Sequence, residues 1–248
     1  MYTDKKFALV IPTLCEATNL RPLLERARSA MEGTGVRYEI LVVDDDSRDG
    51  TEELVSEIAA EDSRVRPLVR RNERGLSGAI LHGWEHTDAE ILGVMDADLQ
   101  HPPELLPKLL NEVLEDCDIA IGSRYAAGGS LGGWNPLRRL ISMAAIWLTW
   151  PLQGAGMRAR DPMSGFFVVR RCCLENVVFQ PTGFKLLLEI LVRGHIRSVR
   201  EVPFSFGRRR AGASKASLKV AWEYLRLLAR LYATKRERTR VIEGIPGD

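Results

Sequence analysis

Nowhere in its 248 residues does this sequence hold an uninterrupted apolar run long enough for a bilayer-spanning helix, which takes about 18–20 residues. No transmembrane segment is therefore expected. Cysteine is scarce, and Cys15, Cys117, Cys172 and Cys173 show no metal-ligand spacing. With no recognisable signal peptide they are expected to be reduced thiols in a cytosolic setting, Cys15 a spectator among them. The histidines have no ligand spacing either, since His82 and His86 lack the acidic partner of a zinc helix. No G-x-G-x-x-G follows the first strand-like run and no G-x-x-x-x-G-K-[ST] occurs, which disfavours dinucleotide and P-loop folds. Aromatic residues, 7% of the chain, are not interleaved with bases as a nucleic-acid surface requires, so no nucleic-acid partner is expected.

What is present is the composition of a globular chain, 45% hydrophobic and 27% charged. The net charge of +2 hides an asymmetry: residues 193–240 carry 14 Lys/Arg against three acids. Before that stretch acids exceed bases by 28 to 21. An acidic front suits a metal site, and a basic back suits phosphates or a charged membrane surface.

Apolar runs and helical periodicity alternate along the front half. Phe7–Ile11, Glu39–Val43, Arg66–Val69 and Ile91–Met95 read as strands, the first ended by Pro12. Helices are expected over 19–31, from Thr51 through Ile58 with Asp49 or Thr51 as N-cap, and over 78–86. This order predicts an α/β fold, a mostly parallel sheet with helices on both faces. Ligands bind such sheets at the carboxyl ends of the strands. Three of those ends are polar here: Pro12-Thr13-Leu14-Cys15-Glu16, Val43-Asp44-Asp45-Asp46 and Asp96-Ala97-Asp98. Two carboxylates in Asp-x-Asp repel each other, and a hard divalent cation shared with a substrate diphosphate would relieve that. Convergence of so many acids on one edge is expected to require a ligand or metal.

At these residues the chain resembles the family 2, GT-A-fold glycosyltransferases. Residues 12–20 are similar to their opening motif, 42–51 to their second motif and Asp96-Ala97-Asp98 to their metal-binding motif. Gly122-Ser123-Arg124-Tyr125, the run from Gly133 through Arg138 to Ser142, Asp161-Pro162-Met163-Ser164-Gly165-Phe166 and the basic loop 209–215 narrow the resemblance to polyprenyl- or dolichyl-phosphate mannose synthases. The resemblance covers roughly residues 6–233; Leu14 departs from it, standing where related enzymes often have an aromatic.

The resemblance implies inverting transfer of mannose from GDP-mannose to a polyprenyl phosphate, giving a β-linked product. Donor contacts would come from Pro12, Leu14, Glu16, Val43, Asp45, Asp96, Ala97, Asp98 and Gln100, with Arg209 and Lys215 on the donor phosphates. Asp98 and Gln100 would hold Mg or Mn, to offset the charge on departing GDP. Arg124, Arg138 and Ser142 would grip the lipid phosphate, a nucleophile that is already ionised and needs orientation more than a base. Asp98, Arg124 and Asp161 are the catalytic candidates, Asp161 as a catalytic or site-shaping carboxylate, with the start of a turn before Pro162 as its alternative. Lys185 and Glu189 either reach the site or form a helical ion pair.

The catalytic domain is expected over residues 1–216, and 217–248 as an amphipathic helix with a basic tail. The stretch 140–152 with Trp147 and Trp150, and the helix with Trp222, either pack on the domain or rest on a membrane surface. An integral membrane partner is the other route of attachment. Together these place the protein in the cytoplasm, peripheral to the cytoplasmic face of a membrane. The alternatives are a UDP-glucose or other polyprenyl-phosphate glycosyltransferase, or a non-catalytic nucleotide-sugar-binding subunit.

Overall fold

The computed structural model describes residues 5–133, 136–154, 157–180, 185–205, 207 and 218–243. The strands are β1 (Lys6–Thr13), β2 (Arg37–Asp44), β3 (Val65–Val69), β4 (Ile91–Val94), β5 (Ile119–Ser123), β6 (Phe167–Arg170) and β7 (Val199–Pro203). The helices are α1 (Ala17–Glu32), α2 (Thr51–Glu61), α3 (Leu76–Glu85), α4 (Leu106–Glu115), α5 (Pro136–Trp147), α6 (Leu186–Arg193) and α7 (Leu218–Glu243). They build a sheet of seven strands in the order β3-β2-β1-β4-β6-β5-β7.

β1 runs parallel to β2 and β4, and β2 to β3. Side chains alternate across the sheet, so β1 divides its apolar run between two cores. Phe7, Leu9 and Ile11 join the core built with α1, α2 and α4. Ala8 and Val10 join the other, with Ile80 and Trp84 of α3 and Leu187 and Ile190 of α6. A strand buried on both faces loses the polar alternation of a surface strand, which is why these segments read as continuous hydrophobic runs.

β1 continues one residue past Pro12, where the sequence suggested an end. The Val10 carbonyl accepts from the Met95 N–H. By the alternation of the ladder, Pro12 also faces that side, beyond the last residue of β4, so its missing N–H leaves no strand partner unpaired. At α2 the N-cap is Gly50, in the left-handed region at φ 86°. The Asp49 carboxylate nonetheless receives the Thr51 N–H at 3.2 Å and its hydroxyl at 2.6 Å.

The far half of the sheet positions the site. β6 is antiparallel to both β4 and β5, while β5 and β7 are parallel to each other. A strand inserted in reverse presents its amino end where its neighbours present their carboxyl ends. The residues leading into β6, 161–166, therefore meet the ends of β4, β5 and β7 on one edge.

α7 packs on this domain through Leu227, Leu228 and Leu231, buried against Leu152 and Leu188. The Tyr224 hydroxyl donates to the Ala145 carbonyl, and that of Tyr232 to the Leu148 carbonyl at 2.8 Å. Among the described residues no helix is long and apolar enough to cross a membrane.

Candidate active site

The ends of β1 and β2 are tied together by their own acids. Asp44 accepts the Thr13 hydroxyl at 3.0 Å, the Ser47 N–H at 2.8 Å and the Ser47 hydroxyl at 2.6 Å. The Ser47 Oγ in turn accepts the Cys15 N–H at 2.7 Å. Asp49 takes the Ala17 N–H at 3.1 Å, tying the start of α1 to the β2 loop. Asp45 is buried, with Oδ1 on Arg70 Nη1 at 2.9 Å and Oδ2 on the Gly75 N–H at 2.7 Å. These acids are satisfied by protein donors, so their convergence does not by itself demand a ligand or metal, as the sequence had suggested. Pro12 and Val43 are buried beside them, Leu14 and Glu16 half-buried, and Glu16 accepts from the Asn19 side chain at 2.7 Å.

β4 stops at Val94, and the chain turns through Asp96-Ala97-Asp98, with Leu99 in the left-handed region at φ 61°. Ala97 and Asp98 are buried; Asp96 is half-buried. The Asp98 carboxylate accepts the Gln100 N–H at 3.1 Å. Gly165, leading into β6, lies directly against Asp96, and a Cβ there would stand 2.5 Å from Oδ2. Behind the motif His101 is buried, stacked on Phe166 at 5.2 Å and edge-on to Phe204 at 5.6 Å. Its Nδ1 accepts the Asp96 N–H at 3.3 Å, a contact that requires the neutral ring. Burial pushes its pKa down to about 4, against the pull of Asp98.

Gln100 joins this motif to the strand that ends beside it. Its side-chain amide donates to the Gly207 carbonyl at 3.1 Å, and its own carbonyl accepts the Gly207 N–H at 3.1 Å. The approach is close enough that a Cβ on Gly207 would lie 3.3 Å from the Leu99 carbonyl. Arg209 and Lys215 follow in sequence and lie outside the described residues.

Arg124 leaves the end of β5 and is held by Asp161, which is completely buried. Nε and Nη2 reach the two carboxylate oxygens at 2.8 and 2.7 Å, and the Arg124 backbone N–H adds a third bond at 3.0 Å. Such a fork fixes the guanidinium plane. Burial works against the Arg124 charge, but Asp161 and, more distantly, Asp96 outweigh it and raise its pKa. The Arg160 and Asp161 N–H groups both rest on Glu201 at 3.0 Å. Asp161 thus acts on Arg124 rather than on solvent. Ser142 of α5 accepts the Tyr125 hydroxyl at 2.7 Å, and Arg138 stands exposed on the same helix. Lys185, before α6, has its pKa lowered by burial and by Arg124, with Asp96 and Asp161 opposing. Glu189 pairs with Arg193 at 3.1 Å rather than with Lys185.

A model of the family described as glycosyl transferase family 2 matches residues 8–189. This chain is a member of that family. Over 238 residues it is 42% identical to a dolichol-phosphate mannosyltransferase from Pyrococcus furiosus, covering 96% of this chain and 67% of that protein. A dolichol-phosphate mannosyltransferase from Saccharomyces cerevisiae is 40% identical over 93% of this chain and 88% of its own length. Among solved structures, a Mycobacterium tuberculosis glucosyl-3-phosphoglycerate synthase in complex with Mn2+, UDP-glucose and phosphoglyceric acid superposes with a TM-score of 0.65. It shares 18% identity, over 91% of this chain and 80% of its own. That likeness establishes the GT-A fold.

The donor set of this family 2 transferase fits a divalent ion. Asp96 and Asp98 are hard oxygen donors on one turn, and among the described residues no third His, Cys, Asp or Glu joins them. Mg2+ and Mn2+ accept that arrangement, taking one or two carboxylates and completing their shell with substrate phosphates and water. The sequence reading passed over Tyr125, His101, Gly165 and Gly207. Each acts through a partner distant in the chain, so no local pattern marks its role; Tyr125 and Gly165 stood inside motifs without one.

Proposed function

We propose that this chain is a dolichol-phosphate mannosyltransferase, moving mannose from GDP-mannose to a dolichyl or related polyprenyl phosphate. The observation that carries this reading is the 42% identity to such an enzyme over 96% of the chain. The site supports it chemically. Asp98 with Gln100, beside Asp96, would hold the divalent metal, which neutralises charge on the leaving diphosphate when bound. Pro12, Leu14, Glu16, Val43, Asp45, Asp96 and Ala97 would take the nucleoside and ribose. Arg209 and Lys215 would clamp the donor phosphates.

Arg124, with Arg138 and Ser142, would hold the lipid phosphate. Its oxygen is anionic at neutral pH, so the residues around it need only orient it and screen its charge. The Asp161 fork pre-sets Arg124 for that task, because a guanidinium already fixed in one plane loses little freedom on binding. One displacement at the anomeric carbon inverts it, giving a β-linked product.

The acceptor's lipid gives a role to an exposed apolar surface on α5 and the turn after it. Leu137, Leu140, Ile141, Trp147 and Leu148 are each at least 50% exposed, as is Trp222 on α7. Arg158 lies over the Trp150 ring and Arg226 over Trp222. A tryptophan-rich face rimmed with arginine suits the headgroup level of a membrane. That surface would bring Ser142 and Arg138 to a phosphate held at the interface.

The test is transfer itself. Radiolabelled GDP-mannose should label a short polyprenyl phosphate in the presence of Mg2+ or Mn2+. Transfer from UDP-glucose in its place would favour the glucosyl reading, and nucleotide-sugar binding without transfer the non-catalytic one.

A further inference from the structure

Tyr125 has no part in the chemistry above, yet it touches two of the groups assigned to the lipid phosphate. The guanidinium of Arg124 lies over its ring, 5.9 Å from the centroid, within the range of a cation–π contact. Its hydroxyl donates to Ser142 Oγ, 17 residues on and in α5, at 2.7 Å. The turn that carries the tyrosine is itself fixed. The buried Ser123 Oγ accepts the Tyr125 N–H at 3.3 Å and the Ala126 N–H at 3.0 Å. On the other side, α5 depends on such bonds for its place. Ile146 alone among its residues is buried, and its Ala145 carbonyl is held by the Tyr224 hydroxyl.

Two hydroxyls joined by one bond have one proton left over. A phenol is the more acidic of the pair and so the better donor, which leaves the spare proton on Ser142. Among the described residues that proton has no acceptor. Ser56 bonds back to the Glu52 carbonyl of its own helix at 2.8 Å, and Ser142 makes no such bond. Both Tyr125 and Ser142 are half-buried, not sealed in a core. An anionic oxygen that takes the Ser142 proton also strengthens the bond from Tyr125, because each bond in a chain polarises the next.

We propose that Tyr125 is a positioning residue for the acceptor, which backs the Arg124 guanidinium and holds Ser142 as a hydrogen-bond donor to the lipid phosphate. This rests on the reading that Arg124 and Ser142 grip that phosphate.

The experiment measures steady-state kcat and KM for a short polyprenyl phosphate, GDP affinity by calorimetry in Mg2+, and melting temperature. Tyr125→Phe keeps the ring against Arg124 and removes only the hydroxyl. It should raise the lipid KM roughly two- to tenfold, the range of one neutral hydrogen bond, with GDP affinity and melting temperature close to the parent's. Ser142→Ala should cost more, and Tyr125→Phe placed on top of it should add less than about twofold, because the tyrosine then has no serine to position. Ser142→Thr, which keeps the hydroxyl, should recover much of the Ser142→Ala loss. Tyr224→Phe separates positioning from mooring, since it releases α5 at Ala145 without touching the pair, and its lipid KM should stay within about twofold of the parent's. An unchanged lipid KM in Tyr125→Phe, an equal loss of GDP affinity, an additive loss in the double variant, or an equal rise in Tyr224→Phe would overturn the role of Tyr125. A parent that transfers no mannose to the polyprenyl phosphate would instead overturn the acceptor reading, whatever the variants do.

Discussion

Replacing Asp161 by asparagine removes one charge from a completely buried site and keeps the side-chain shape. The parent carboxylate receives three donors from Arg124, at 3.0, 2.8 and 2.7 Å. An amide offers one oxygen and an NH2 group, so one donor of Arg124 must meet another donor at hydrogen-bond distance. The guanidinium stays charged, only 12% exposed, with its counter-ion gone. Breaking a buried pair from one side costs about 3–5 kcal/mol; the residual solvent access of Arg124 reduces this to about 2–4 kcal/mol. For a chain of this size each kcal/mol moves the melting temperature by about 2–4 °C, so a fall of about 5–15 °C is expected by calorimetry. Activity should fall further than stability, because a guanidinium displaced by about 1 Å costs roughly a hundredfold in a positioned reaction. The loss should appear in kcat/KM for the lipid phosphate and spare GDP binding. In a cycle of Arg124→Met and Asp161→Leu, the double variant should be destabilised by less than the sum of those two singles, since neither charge is left stranded. Asp161→Asn with parental melting temperature and parental lipid kinetics would refute this account of the pair.

Four further outcomes are expected. EDTA, and separately Asp98→Ala, should abolish transfer while the fold persists, and activity surviving either treatment would remove the metal from the mechanism. Arg209→Met and Lys215→Met should raise the KM for GDP-mannose roughly 10–150-fold, whereas Arg138→Met and Ser142→Ala should act on the lipid KM; equal donor effects in both pairs would contradict the division. Binding to anionic vesicles should weaken at high salt without vanishing, and Trp147→Ser with Trp150→Ser should remove much of what salt spares; indifference to vesicles would make α5 an ordinary surface or point to a protein partner. Asp62 is held down to about 2, from 3.8, chiefly by hydrogen bonds from Arg64. A lowered carboxylate stabilises the fold above its unfolded pKa and loses that contribution as pH falls through the folded one. Asp62→Asn should therefore cost about 1 kcal/mol at pH 7, after allowance for solvent screening, and the gap to the parent in urea unfolding should close between pH 3.8 and about 2.

Local pattern carried much of this protein. The β1 run from Phe7 to Ile11, the β2 run to Val43 and the helix period through Leu20, Leu23, Leu24 and Ala27 are statements about neighbours in the chain. A mostly parallel sheet follows from such alternation because connections are short and crossovers are of one hand. Asp-x-Asp at the end of β4 could be placed on the carboxyl edge for the same reason. Beyond β4 the pattern marked no further strand. β6 has four residues, and its reversed direction leaves no mark in its composition. That reversal alone brings Asp161 and Gly165 against Arg124 and Asp96.

What the sequence by itself determined is which segments bury and which strand ends carry charge, since hydrophobic period and charge are local properties of the chain. Only the tertiary structure decided which charges are spent on the fold and which are left for a substrate. Asp44 and Asp49 staple loops together, Asp45 is held by Arg70, and Asp161 serves Arg124. These pairings join residues tens of positions apart. A carboxylate's role depends on which donors lie within about 3 Å of it, and that distance exists only once the chain has folded.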